Sequence, residues 1–416
     1  GPRSWIALWQ TNTRALSNAQ SGYGIVVARS NDDGNSWTTP VPLHDKARAS
    51  SGNMWLPKVA ADNSGHCVAI WANRTFENSS LGRILVSRSS DHGATWSEPV
   101  PIRNNEPEAD LRYQIATDGN GVWIAVWATT NGVRFSRSID YGATWSNPAN
   151  LSSSSNRGGQ PDLATDGKGV WIVTWTTAVG NSDNDIYAVR SVDNGLTWSN
   201  IGYLNPNAQS DFSSEWLPRI ATDRKGNWIA VWQHYESGSL VMTRSTNNGQ
   251  TWTSPAVIAT TFNGQNPPAL ETDGAGRWTL IWERVISTNR LDLVTASSTN
   301  NGLNWSNPEN LLTNSSTSIP PVLAVTPLGR WLTAWHDDTL PTSGSSPDYD
   351  LFVAIQDLPT SPRSRISPAQ RLRIYTTSNI GWQELVFNYQ TQALFITPYS
   401  SVPGSVTYSL TEDQWV

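Results

Sequence analysis

An eight-residue pattern, S-x-D-x-G-x-T-W, returns at near-constant spacing along this 416-residue chain. Its clearest copy is Ser89-Ser90-Asp91-His92-Gly93-Ala94-Thr95-Trp96, with others at 30–37, 138–145 and 191–198. At 245–252 and 298–305 the aspartate becomes Asn247 and Asn300. The six closing tryptophans stand at 37, 96, 145, 198, 252 and 305, so successive steps are 59, 49, 53, 54 and 53. So regular a step marks a repeat architecture, in which each unit buries its apolar face against the next.

A second repeat runs in phase with the first. Trp5-Ile6-Ala7-Leu8-Trp9 is echoed at 68–71, 123–127, 171–175, 228–232, 278–282 and 331–335. These runs of β-branched and aromatic residues between turn signals read as strands, and their near-continuous apolar character predicts cover on both faces. A shorter strand and a turn precede most of them, as in Gln114-Ile115-Ala116-Thr117-Asp118-Gly119-Asn120-Gly121. A third strand follows, such as 133–138, then the eight-residue turn, then a weak fourth strand after Pro40, Pro99 or Pro255. Proline fits an outer edge, where its missing N–H is not needed by a ladder.

Each unit is thus a four-stranded antiparallel meander of about 53 residues, the size of a propeller blade. The expected fold is an all-β propeller forming a single domain over 5–416, with Gly1-Pro2-Arg3-Ser4 set aside as a protease-site and cloning remnant. Six boxed repeats cover 5–312, a seventh unit without a box covers 313–375, and a degenerate eighth covers 376–416. Eight units are counted. Seven blades, with a C-terminal strand completing the first, is one alternative, and six is another.

Composition narrows the function. Charged residues are 15% of the chain, against about 25% in typical soluble domains. Ser, Thr and Asn fill the polar positions, and 23 tryptophans supply aromatic wedges. This suits an extracellular, cell-surface or periplasmic β protein. With a net charge of −6 and no basic run, nucleic acid is not an expected partner, and no apolar run approaches a transmembrane segment. The single Cys67 lies in the apolar run 66–71 and reads as a small buried residue.

The repeated turn has the form of the Asp box, and the chain resembles the sialidase-like Asp-box (BNR repeat) β-propeller superfamily. The resemblance covers the boxed three quarters and concerns the scaffold. In the box, the aspartate is expected to accept hydrogen bonds from its own turn, the glycine to take a left-handed conformation, and the tryptophan to pack between blades. The box joins the third and fourth strands, so ligands are expected on the opposite face, built from second-to-third-strand loops and from the connections between units. Sialidases also carry an Arg-Ile-Pro motif on the first inner strand, an arginine triad, an Asp acid/base and a Tyr–Glu nucleophile pair. No Arg-Ile-Pro occurs here, and the first unit lacks the inner strand that would bear it.

On the expected loop face, Asn53-Met54-Trp55-Leu56-Pro57-Lys58 and Ser214-Glu215-Trp216-Leu217-Pro218-Arg219 each offer an aromatic and then a base. Trp55 and Trp216 are sugar platforms or rim-packing residues, and Lys58 and Arg219 are partners for a carboxylate. Arg74, Arg112, Arg219 and Arg284 are expected to converge on the central depression, with His336 nearby; scattered surface arginines are the plainer alternative. The acid/base candidates are Glu283, Asp162 and Asp337, drawn from a set that also holds Glu77, Asp110, Glu236 and Asp338. Two carboxylates flanking a glycosidic bond must stand about 5–10 Å apart, which no spacing in a sequence supplies. No cofactor and no metal are expected. Asp183-Asn184-Asp185 and Asp348-Tyr349-Asp350 are noted as an alternative Ca2+ reading.

The sequence therefore predicts a propeller that binds a carbohydrate or glycoconjugate through its loop face, without recognisable sialidase chemistry. A sialidase-like glycoside hydrolase or a polysaccharide lyase acting on an acidic sugar is the alternative.

Overall fold

The computed structural model describes residues 4–11, 24–31, 37–43, 52–62, 64–75, 83–102, 112–129, 131–152, 158–179, 183–204, 213–260, 266–287, 290–315, 321–325, 331–337 and 350–356, and the backbone of five short strands beyond 373. All the regular structure among them is β, in seven sheets. Blade 2 runs Gly52–Ala61, Cys67–Thr75, Arg83–Ser89 and Val100–Pro101 from the inside outward. Blades 3 to 6 repeat this order, starting from the inner strands Tyr113–Thr117, Gly158–Thr165, Glu215–Thr222 and Ala269–Thr272. Blade 7 starts at Val322–Val325 and ends with Ile374–Thr376 paired to Val406–Tyr408.

The eighth unit has no sheet of its own among the described residues. Its strand Ala393–Tyr399 lies parallel to Trp5–Thr11, with Ile6 opposite Ala393 and Trp9 opposite Ile396. Blade 1 starts at its second strand, so Trp5–Thr11 would otherwise present an unpaired edge beside the channel. The C-terminal strand fills that edge and stands between the inner strands of blades 7 and 2. The strand pairing thus follows the seven-blade alternative.

The continuous apolar runs are explained by packing on both faces. Trp171, Val173 and Trp175 of blade 4 cluster with Ile124 and Val126 of blade 3, while Ile172 between them packs with Trp228, Ala230 and Trp232 of blade 5. Burying one such aromatic or branched side chain contributes about 1.5–3 kcal/mol, so the ring is held by its wedges. Cys67 belongs to the same kind of wedge, is 1% exposed, and burial pushes its thiol up.

The Asp boxes of blades 2 to 6 tie each of these blades to its predecessor. In blade 2, Asp91 Oδ1 accepts the Thr95 amide at 2.9 Å and Oδ2 accepts the Thr95 hydroxyl at 2.6 Å. Ser89 Oγ accepts the Gly93 amide at 2.9 Å, and Trp96 packs into the wedge against blade 1. Asn247 keeps the amide contact at 3.0 Å and instead donates from Nδ2 to the Thr251 hydroxyl. The residue after the Asp or Asn is left-handed in five boxes, at φ near +57: His92, Tyr141, Asn194, Asn248 and Asn301. Asn194 shows what this conformation allows. Its amide donates to Gly169 O, its side chain accepts the Trp171 indole N–H at 3.3 Å, and its carbonyl accepts Arg137 Nε from blade 3 at 2.5 Å. Arg190 reaches Asn248 O in the same way at 2.6 Å.

Two consequences are testable. A Cβ at Gly249 (φ +71) would collide with Ile172 of blade 4, whereas one at Gly119 (φ +81) would meet nothing within 4 Å. Gly119→Ala should therefore cost about 1 kcal/mol of backbone strain, and Gly249→Ala about 3 kcal/mol because overpacking adds to it, read as urea midpoints. Acid should also loosen the boxes. Desolvation opposes ionisation of Asp193, but hydrogen bonds from the Thr197 hydroxyl and amide, the Ser191 hydroxyl and the Leu196 amide hold it down at about 2. Asp91 and Asp140 are lowered from 3.8 in the same manner. Carboxylates that ionise more readily in the folded state stabilise fully above their unfolded pKa and lose that contribution as pH falls through the folded one. Thermal unfolding followed from pH 5 to pH 2 should show a falling midpoint below about pH 4, with a shallower fall in Asp193→Asn.

Candidate functional site

The inner strands of blades 2, 4 and 5 share an irregularity that the others lack. Their registers shift between Trp55 and Lys58, between Gly159 and Asp162, and between Trp216 and Arg219. Each shift spans an X-Pro pair: Leu56-Pro57, Gln160-Pro161 and Leu217-Pro218. Proline cannot donate to the ladder and crowds the residue before it, so the strand bulges there. Gln160 (φ 55) and Leu217 (φ 58) are left-handed, a costly conformation for side chains of this kind. The two bulges brace each other, since the Leu217 amide donates to Gln160 Oε1 at 3.1 Å.

The bulges set one level of the channel. Lys58, Asp162 and Arg219 stand opposite Ile70, Thr174 and Val231, the equivalent position in each second strand. At this level blade 3 contributes Gln114, opposite Val126, whereas blades 6 and 7 contribute Ala269 and Val322. At this level the channel is therefore polar over blades 2 to 5 and apolar over blades 6 and 7. Asp162 Oδ2 accepts the Ile220 amide at 2.9 Å, and its Oδ1 lies 3.7 Å from Arg219 Nη1. Burial pushes its carboxyl up, against the pull of Arg219, the Ile220 and Leu163 amides and Lys58. Glu271, two residues nearer the box face on blade 6, is pushed well above 4.5 by burial and then by the Asp162 charge, with Arg224 opposing.

A second group of acids lies at the loop-face ends of blades 4 and 5. Carboxylate oxygens of Asp183, Asp185 and Glu215 all lie within 4.8 Å of one another, and all three residues are buried. Oxygen donors so grouped are the type that a hard divalent cation takes. Asp183 and Asp185 are one of the two expected acidic pairs; in the other, Asp348 and the Asp350 side chain lie outside the described residues.

The expected site residues are distributed unevenly. Lys58 is 2% exposed, and its charge adds the smallest of the pulls that lower Asp162. Arg219 is in the channel with 18% of its side chain exposed. Trp216 packs on the cluster between blades 5 and 6, which is the rim-packing reading. Arg112 is exposed and reaches over blade 4, where its Nη1 lies 2.8 Å from the position a Cβ on Gly159 would take. Arg284 does not converge with the others: its Nη2 donates to Asp292 at 2.6 Å and to Asn310 at 2.7 Å, on the outer strands of its own blade. Glu283 is 1% exposed and accepts Asn266 Nδ2 at 2.9 Å. Glu236 accepts the Ser214 amide at 2.8 Å. Trp55, Arg74, His336 and Asp337 lie on strands whose backbone is placed, with their side chains outside the described residues, as are Glu77, Asp110 and Asp338 altogether. Sequence reasoning missed Gln160, Glu215 and Glu271. The x-Pro-[Lys/Asp/Arg]-apolar pattern, shared by 56–59, 160–163 and 217–220, was the signal available for the third bulge.

Fold and boxes together define an Asp-box β-propeller. The model of the BNR repeat-like domain matches residues 119–330, and the chain belongs to that family. No curated protein sequence matches it. Among solved structures, it is similar to a protein of unknown function from Dyadobacter fermentans, at 16% identity and a TM-score of 0.51, covering 74% of this chain and 96% of that one. It is also similar to an ulvan lyase bound to a GlcA(1-4)Rha3S unit, at 12% identity and a TM-score of 0.52, covering 75% and 84%. A Hadza microbial sialidase aligns at 16% identity and a TM-score of 0.48 over 76% and 70%. No helix among the described residues is long and apolar enough to cross a membrane.

Glu271 gives this site a pH signature. A carboxyl whose pKa rises on folding favours the folded state fully below its unfolded value, and that advantage is lost as pH rises through the folded value. Glu271→Gln should leave the unfolding temperature at pH 4 nearly unchanged and raise it by a few degrees at pH 8. Equal shifts at both pH values would mean that Glu271 is not held neutral by the channel.

Proposed function

We propose that this propeller binds carbohydrate at the loop-face mouth of its channel, over the polar half formed by blades 3 to 5, without sialidase chemistry. The observation carrying this reading is the pairing of Asp162 with Arg219, whose Nη1 lies 3.7 Å from Asp162 Oδ1 across the inner strands of blades 4 and 5. Arg284 is engaged on outer strands, so an arginine cluster for a sugar carboxylate is not supported by the described residues. Buried carboxylates at the mouth offer acceptors for sugar hydroxyls, each of which has one O–H to donate. Carbohydrate is also what the ulvan lyase of similar fold binds. Such a binder would work outside the cytoplasm, at a cell surface, in a periplasm or in the medium.

A second reading rests on Asp162 itself, because a buried carboxyl with a raised pKa is suited to act as a general acid in a glycoside hydrolase or lyase. One experiment separates the two. Wild type and Asp162→Asn are run on a glycan array and against fluorogenic glycosides, a sialoside included. The binding reading expects retention of array glycans by wild type, a loss of about tenfold or more in Asp162→Asn, and no release of fluorophore. Turnover by wild type that falls at least a hundredfold in Asp162→Asn would replace it with the hydrolase reading.

A further inference from the structure

Tyr235 is 64% exposed on the second-to-third-strand loop of blade 5, on the face opposite the boxes. An exposed aromatic on a loop free to move would carry little meaning, but this loop is braced. The Tyr235 amide donates to Ser214 O at 2.8 Å, and its carbonyl accepts the Gly238 amide at 3.1 Å. Ser214, in return, donates its own amide to Glu236 Oε2 at 2.8 Å, and Ser237 Oγ lies 3.0 Å from His234 Nδ1. Residues on both sides of Tyr235 are thus fastened to the turn or to the start of the inner strand that carries Glu215, Trp216 and Arg219. The ring is held outward at no further loss of backbone freedom on binding, which is the condition under which an aromatic contributes most to affinity.

Its surroundings select a ligand. On the adjoining blade, the end of the second strand, Trp278–Ser287, exposes Val285 and Ile286, 37% and 52% accessible. A carboxylate stands beside this apolar surface: Glu236, its side chain 46% exposed, follows Tyr235 directly in sequence. A flat apolar surface beside carboxylate acceptors matches a pyranose, which has a C–H face to lay on an aromatic ring and equatorial hydroxyls that donate. An acidic sugar would meet Glu236 with its own charge; of the arginines on these two blades, Arg219 faces Asp162 and Arg284 donates to Asp292 and Asn310, while Arg290 stands opposite Ser287 on the blade 6 hairpin.

We infer that Tyr235 is the stacking platform of a neutral-pyranose subsite, which extends the channel-mouth site outward over blades 5 and 6 so that it takes a chain of several sugars. This rests on the carbohydrate reading proposed above. It is tested by calorimetric titration of the whole chain with mannohexaose, xylohexaose and cellohexaose and the corresponding disaccharides, with sialyllactose and hexagalacturonate as acidic comparators. Wild type should bind at least one neutral hexasaccharide more tightly than its disaccharide. Tyr235→Ala should weaken the hexasaccharide about tenfold and leave the disaccharide within twofold, and Tyr235→Phe should restore hexasaccharide binding because the ring, and not the hydroxyl, is used. Unchanged hexasaccharide affinity in Tyr235→Ala, while Asp162→Asn still weakens it, overturns the subsite and leaves the carbohydrate reading standing. Binding confined to the acidic comparators overturns the neutral class. Binding of none of these sugars by wild type overturns both.

Discussion

The left-handed residue in the Asp boxes of blades 4 to 6 is the contact on which the ring depends. In that conformation three groups of one residue serve three partners: an amide for its own first hairpin, a side chain for its own second strand and a carbonyl for the blade before. The adjacent glycine, also at positive φ, closes so tightly on the preceding blade that no side chain fits. The aspartate acts inward, by fixing the turn that holds these two residues in place. Blade-to-blade geometry is therefore set largely on the box face, at small cost in exposed charge.

That division explains why the polar irregularities all lie toward the other face. Proline bulges disrupt ladders, and a ring clamped at one end can tolerate them near the other. Lys58, Asp162 and Arg219 reach the same channel level only because each inner strand carries its extra residues before that point. The charges that result are mutually compensating, with Asp162 between a buried lysine and a half-buried arginine. A single carboxylate shared by two cations stays within what a low-dielectric channel accepts, whereas any of the three alone would not.

How much of this was legible beforehand depends on range in sequence. The blades were readable because each box and each tryptophan run is local, and alternating packing on both faces shows directly as continuous apolar strands. Ring closure was not settled, because the parallel pairing of 393–399 with Trp5–Thr11 links the ends of the chain and leaves no local period to count. In the site, Lys58 and Arg219 were found by the likeness of their two segments. Asp162 was chosen only as one acid among several, because Gly158-Gly159-Gln160 hides the same bulge under different residues. Arg284 was expected at the depression as one of the loop-face arginines, but its side chain turns to Asp292 and outward. Spacing gives strand position, and the face it points to follows only once register is known.

The account stands most directly on where a bound sugar leaves its mark. Hydrogen exchange of the whole chain, read by mass spectrometry with and without a saturating glycan from the array, tests it in a single measurement. Slower exchange is predicted in the peptides covering 213–220 and 234–239, with the box turns at 138–145, 191–198 and 245–252 unchanged. Protection concentrated in the box turns, with the loop face unaffected, would contradict it.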